Sequence, residues 1–241
     1  MTTLVLSART NADNQRLWRE AVRRGWSVQR VTGPRCEPID DDVVLYVEPI
    51  FAPSLCADLG VSLIDPGDDW LPSLPFELVN RRIELTTVAA ARRCPGPVFV
   101  KPPNDKSFVA RVYGPDDPLP CDLAGSSAVL VAEAVEFVRE YRAFVHGRTV
   151  QAISPYIRNG QLSSVVDYAA PAAECAAAHA FLDHVLNDPR VPDVEAVVID
   201  VGCLADGRWA VVEANGCWGS GLYGCDVAAA LDVIAAATIS G

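Results

Sequence analysis

Among eight cysteines the 241-residue sequence has no Cys-x-x-Cys pair, and it has only three histidines. That removes the common zinc and dithiol frameworks from consideration. The cysteines are scattered at 36, 56, 94, 121, 175, 203, 217 and 225. A chain of this length, half of it apolar, needs no disulfide staples. We therefore expect reduced thiols, mostly buried as small hydrophobes. His179 and His184 are not at the i, i+4 spacing of a helical metal pair. No apolar run approaches the roughly 20 residues of a membrane-spanning helix. No basic leader with a long apolar segment opens the chain, so the expectation is a cytoplasmic protein without membrane contact. Basic residues are scarce: 20 Lys and Arg stand against 31 Asp and Glu, a formal charge of −11. Broad nucleic-acid binding, which needs a basic footprint, is excluded by such a surface. The same charge repels nucleotides at long range. A nucleotide site here must gather Lys and Arg locally and recruit a divalent cation. There is no internal repeat and no low-complexity tract; the alanine-rich stretches are ordinary helix formers.

Apolar periodicity gives a coarse outline. Thr3–Ser7, Ser27–Val31 and Val43–Val47 read as strands, and Asn14–Arg24 as a helix with Leu17, Ala21 and Trp18 facing inward. This alternation predicts a small parallel α/β lobe over residues 1–75. A proline-rich break at 66–75 marks the boundary to a second unit, 76–241. There, Phe76–Arg93 reads as a helix. Val98–Lys101, Phe108–Tyr113 and Ala128–Ala132 read as strands, Glu140–Val145 and Thr149–Ser154 as a hairpin around Gly147, and Glu174–Leu186 as a helix. Asp226 is placed to cap a last helix ending near Ile239.

The segment Val197–Asn215 carries the chemistry. Asp206-Gly207 is a strong two-residue hairpin signal. With those two residues as the turn, Asp200 falls opposite Glu213, and Asn215 shares a face with both because side chains alternate along a strand. Two carboxylates facing one another in a sheet repel. A divalent cation resolves the conflict, and an all-oxygen set of Asp200, Glu213 and Asn215 suits magnesium or manganese rather than zinc. The rival is a pair of solvated acids at a sheet edge, and a bulged turn would shift the pairing by one. Downstream, Gly219-Ser-Gly-Leu-Tyr-Gly224 matches G-x-G-x-x-G. Too little chain follows to complete a dinucleotide-binding unit. The expectation is instead a flexible loop beside the metal site that holds phosphate or substrate.

Together these pieces resemble the ATP-grasp superfamily over residues 76–241. Asp200 with Glu213-Ala-Asn215 is similar to the family's acidic residue on one strand and E-x-N on the next. Val98-Phe-Val-Lys-Pro102 is similar to the strand whose lysine contacts ATP phosphates. Glu133 and Glu140 have the seven-residue spacing of its adenine hinge and ribose acid. The resemblance implies an ATP-grasp fold: two α+β subdomains enclosing a nucleotide cleft, preceded by the small parallel lobe. It implies ATP and Mg2+ (or Mn2+) as cofactors, with Asp200, Glu213 and Asn215 on the metal. Lys101, Lys106, Glu133, Glu136 and Glu140 fall on the nucleotide, with Arg81 or Arg82 as a further cation; of those two, Arg82 is the assigned contact. Arg142 is placed on the nucleotide and, with Lys101 and Arg158, at the reacting phosphate. An ordinary ion pair between Glu140 and Arg142 is the rival structural role. The implied activity is an ATP-dependent carboxylate–amine ligase working through an acyl phosphate, with a peptide or protein among the candidate substrates. A phosphotransferase and a nonenzymatic nucleotide-binding module are the alternatives. Three features depart from the family pattern. The loop Pro103–Ser107 has no glycine, Val198 stands where many amino-acid ligases carry a cation, and the chain is short. Trp70, Trp218 and Tyr223 are candidates to line an acceptor pocket, with core packing as the rival role.

Overall fold

The computed structural model describes residues 1–103 and 107–241. Its first sheet grows from β1 (Thr2–Ser7), whose Leu4, Val5 and Leu6 are buried. The chain then enters α1 (Ala12–Arg23), where the Asn11 side chain accepts from the backbone N–H of Asn14 and so satisfies one open donor of the first turn. Leu17 and Ala21 face the core as expected, but Trp18 points outward and is 44% exposed. β2 (Ser27–Val31) and β3 (Asp42–Tyr46) flank β1 in parallel, in the order β2-β1-β3. Next come α2 (Ala52–Leu59), ended by Gly60 in the left-handed region, and β4 (Val61–Leu63). The apolar pattern does not announce either element.

The proline-rich break contains a short helix, α3 (Trp70–Ser73), which buries Trp70 and Leu71, and α4 (Phe76–Val79) follows. The helix expected over 76–93 is not one helix. Asn80 takes a left-handed conformation (φ 50°) and ends α4. The residues after it form β5 (Ile83–Thr87), and only Val88–Ala91 return to helix, as α5. Ile83, Thr86 and Thr87 are β-branched and favour the extended chain. β6 (Val98–Lys101), β7 (Arg111–Tyr113, shorter than expected) and β8 (Ala128–Ala132) complete an antiparallel sheet in the order β5-β8-β6-β7. α5 covers it through Val88 and Ala91, which pack with Val100, Tyr113 and Val129.

A second antiparallel sheet, in the order β11-β10-β9-β12-β13, forms the centre of the molecule. Its strands are β9 (Phe137–His146), β10 (Thr149–Arg158), β11 (Gln161–Leu162), β12 (Ala196–Leu204) and β13 (Trp209–Gly216). α6 (Ala172–Asn187) covers one face, against Tyr141, Ala143, Val197 and Ile199. Phe144 and Val198, on the other face, join the core of the first lobe. α7 (Val227–Ala236) packs there too, N-capped by the Asp226 side chain. β14 (Thr238–Ser240) then pairs with β4, so the C-terminus is woven into the first lobe. All eight cysteines are free. Only Cys203, Cys217 and Cys225 are buried; Cys121 is exposed and the others lie between, less burial than expected. Among the described residues, no helix is long and apolar enough to cross a membrane.

Candidate active site

The β12–β13 hairpin brings Asp200 and Glu213 opposite one another, as the sequence suggests, but by a different route. The turn is not the two-residue Asp206-Gly207. The Leu204 N–H donates to the Arg208 carbonyl and the Gly207 N–H to the Leu204 carbonyl, so the loop has three residues. Gly207 sits at φ +88°, where a side chain would be strained. This slips the register by one through the pairs Cys203–Trp209, Gly202–Ala210 and Val201–Val211. A β-bulge at Val212 then slips it back. Two offsetting shifts restore the pairing that the simple turn predicts.

Arg81 holds the bulge. Its buried guanidinium donates to the carbonyls of Val79 (2.9 Å), Val211 (2.8 Å) and Val212 (2.8 Å), and it lies 5.3 Å from the Phe137 ring. Burial pushes its pKa down to about 10, against the pull of Glu140 and Glu213. Gly202 faces the bulge. A Cβ there would overlap the Phe137 ring and come within 3.0 Å of Val212 Cγ2.

Asp200 is fully buried. Arg142, directly across on β9, grips it with both arms of its fork: Nε to Oδ1 at 2.9 Å and Nη2 to Oδ2 at 2.7 Å. Burial raises the Asp200 carboxyl and Arg142 opposes that rise. The Tyr156 hydroxyl lies 3.0 Å from Asp200 Oδ2 and 2.8 Å from Glu140 Oε2. One phenolic proton cannot serve both carboxylates. The second proton belongs on Glu140, which burial and its acidic neighbours Asp200 and Glu213 push up to about 7. Tyr156 stacks on Tyr223 (centroids 4.8 Å apart), and the Arg142 guanidinium lies about 5 Å from both rings. Arg142 pairs with Asp200 rather than Glu140, so the rival Glu140–Arg142 pair is not what holds it.

Glu213 is paired with Lys101, which reaches it from β6 on the other sheet. Burial alone would raise its carboxyl. Lys101, with Arg142 and the Asn215 amide, holds it below the ordinary value. The Asn215 amide hydrogen-bonds Glu213, so the three expected metal-site residues lie together on one face. Among the described residues no three His, Cys, Asp or Glu side chains are grouped to hold a metal ion; the third donor here is an amide. The oxygen donors fit a hard divalent cation. Lys101 and Arg142 supply the positive charge where such an ion would sit, and Glu213 is the partly exposed member. The crevice beside Lys101 and Glu213 is closed down to about 10 Å³ between Leu130, Pro103 and the chain at 66–71.

Other expected residues lie elsewhere. Glu133 and Glu136 are exposed on the 133–136 linker between the two sheets. Glu133 accepts from the Arg82 backbone N–H at 2.9 Å, and the exposed Arg82 side chain is not part of the buried group that Arg81 joins. Arg158 is on the opposite face of the sheet. There it donates to Glu174 of α6 at 2.7 Å, alongside Arg139 and Tyr141. A bulge between Pro155 and Ile157 sends it there, aligned with Arg139. It is therefore not among the groups that converge with Arg142. Lys106 lies outside the described residues. Val198 is buried in the core against the first lobe, and Arg142 is the cation that reaches Asp200. The glycine-containing segment 219–224 is not a loose loop but a strut to the first lobe. Tyr46 donates to the Ser220 carbonyl, Arg16 to those of Tyr223 and Cys225, and the Leu222 N–H to Asp13. Trp70 and Trp218 are buried, each donating its indole N–H to a backbone carbonyl. Sequence reasoning overlooked Tyr156 and settled on Arg82 over Arg81. An aromatic in a strand reads as core; the left-handed backbone of Tyr223 (φ 49°) is a signal that only coordinates carry.

Residues 78–233 match the sequence profile of an ATP-grasp domain family, family 2 of its clade. Among solved structures, a RimK domain protein ATP-grasp from Sphaerobacter thermophilus superposes with a TM-score of 0.55 at 17% identity, covering 98% of each chain. The D-cycloserine synthetase DcsG does so with a TM-score of 0.55 at 14% identity, over 98% of this chain and 99% of that one. The macrocyclase MdnC from Microcystis aeruginosa, bound with precursor peptide MdnA, gives 0.50 at 12% identity, over 97% and 99%. No curated protein matches in sequence.

Proposed function

The chain belongs to the ATP-grasp domain family, and from that premise we propose that it is an ATP-dependent ligase joining a carboxylate to an amine. The observation that carries the reading is the convergence of Asp200, Glu213 and Asn215 with Lys101 and Arg142 between the two sheets. A cluster of acids would repel ATP; one interleaved with two cations and able to hold a divalent ion attracts it.

In the proposed reaction, ATP phosphorylates a carboxylate and an amine displaces phosphate from the acyl phosphate. A divalent ion held by Asp200, Glu213 and Asn215 would offset charge on the phosphates. Lys101 neutralises phosphate charge from the opposite sheet. Arg142 offers a planar fork to the transferring phosphate, and Tyr156 and Tyr223 fix the plane of that fork. The 133–136 linker and Glu140 would hold the nucleoside. Closure of the crevice excludes water from the acyl phosphate. The macrocyclase–peptide complex of like fold favours a peptide among the substrates.

The test is incubation with Mg2+, ATP and pooled carboxylates and amines, peptides included, with ADP release and product mass both read. An amide product with ADP is expected. ADP no higher than in Glu213→Gln would contradict the proposal. A stable phosphoester would instead identify a phosphotransferase.

A further inference from the structure

The first lobe carries a groove of about 620 Å³ between the outer face of α1 and β2, away from the residues described above. Leu6 forms its floor. Trp18 and Val22, 44% and 57% exposed, line the helical wall together with Arg19. Arg9 and Arg30 close its end and far side. Three guanidiniums and no carboxylate line this groove, in a chain whose formal charge is −11. Arg9 is paired with Glu48. Arg30 donates to the Ala8 carbonyl at 2.7 Å and lies 5.8 Å from the Trp18 ring. Arg19 makes no ion pair or hydrogen bond among the described residues. β2 has a strand neighbour on one side only. Its outer edge offers unpaired backbone donors and acceptors, a ready template for an added strand. The five residues of β2 extend ~17 Å and the twelve of α1 ~18 Å, so helix and edge are matched to an extended segment of about five residues.

We propose that this groove docks an acidic peptide segment, with its main chain along the free edge of β2 and alternate side chains turned into the groove. The carboxylates meet Arg19 and Arg30, and one aromatic or aliphatic side chain rests on Trp18 and Val22. Strand addition between a helix and a sheet edge supplies affinity from backbone hydrogen bonds and specificity from alternate side chains. An acidic ligand is repelled by most of this surface, so its binding reports the groove. That the segment belongs to the molecule being ligated rests on the ligase proposal; the docking itself does not.

Fluorescently labelled full-length protein applied to an array of randomised hexapeptides tests this. The best peptides are then titrated by anisotropy, in parallel with binding of AMPPNP and Mg2+. The expected hits are rich in Asp and Glu at alternate positions around one apolar residue. The double variant Arg19→Glu, Arg30→Glu should bind them at least tenfold more weakly and keep its AMPPNP affinity. Trp18→Ser should weaken binding severalfold. Absence of acidic enrichment, or equal binding by the double variant, overturns the proposal. So does displacement of the peptide by an oligonucleotide of equal charge at equal concentration, which would mark a general anion surface. Failure of the parent to bind AMPPNP strikes at the ligase reading instead and leaves the peptide result standing.

Discussion

Replacing Arg81 by methionine separates two roles that an arginine at this point of the chain can have. In the structure its donors go to three backbone carbonyls, two of them at the Val212 bulge. Each buried carbonyl stripped of its donor costs about 1–3 kcal/mol. Part of that is offset because the guanidinium itself is desolvated, as its lowered pKa shows. A net loss of about 2–4 kcal/mol follows, which lowers the melting temperature by roughly 5–15 °C in a chain of this size. The bulge is what returns Glu213 to its place opposite Asp200. AMPPNP affinity in Mg2+ should therefore fall at least tenfold as well. Arg81→Lys, with one donor head in place of a fork, should fall between. Urea unfolding and calorimetric titration check both effects. Stability within about 0.5 kcal/mol of the parent, with nucleotide affinity lost, would show that Arg81 acts on phosphate directly and would refute its role as the clamp on the bulge.

Asp200→Asn leaves Arg142 buried without its counter-charge and should destabilise by about 3–5 kcal/mol; combining it with Arg142→Gln should cost clearly less than the sum of the two single changes, as read from denaturation midpoints. Gly202→Ala places a Cβ against Phe137 and Val212 and should cost about 1–3 kcal/mol, relieved when Phe137→Leu is added. Glu20 is held down at about 2, chiefly by Arg23 and then Arg24. Its folded pKa is depressed, so its contribution is present above about pH 4.5 and disappears as the pH falls toward 2. Glu20→Gln should therefore melt lower than the parent at pH 7, by about 1 kcal/mol, and at the same temperature near pH 2.

The main architecture is legible in the sequence wherever the apolar period is long. β1, α1, the β9–β10 hairpin, α6 and α7 all fall close to where periodicity and caps place them. The region 76–93 fails because short apolar runs fit either period. Asn80 in the left-handed region and the pairing of β5 with β8 decide it, and neither is a local property. At the site, period-two alternation is enough to put Asp200, Glu213 and Asn215 on one face. The agreement is partly fortunate: the three-residue turn and the Val212 bulge cancel, and nothing in the local pattern signals the bulge. Arg158 shows the reverse, since one bulge in β10 carries it to α6. Tyr156 is hidden because its importance lies in which carboxylates its hydroxyl meets across strands, a tertiary fact. Trp18, assigned to the core by helical spacing, proves to line a surface groove instead.

Nucleotide binding with and without the divalent ion tests the central claim most directly. The parent protein should bind AMPPNP at least tenfold more tightly in Mg2+ than in EDTA, and Glu213→Gln should erase that ratio while its far-ultraviolet circular dichroism stays that of the parent. An equal Mg2+ dependence in both proteins would mean that the ion is held elsewhere, and that the convergence of Asp200, Glu213 and Asn215 does not build the metal site.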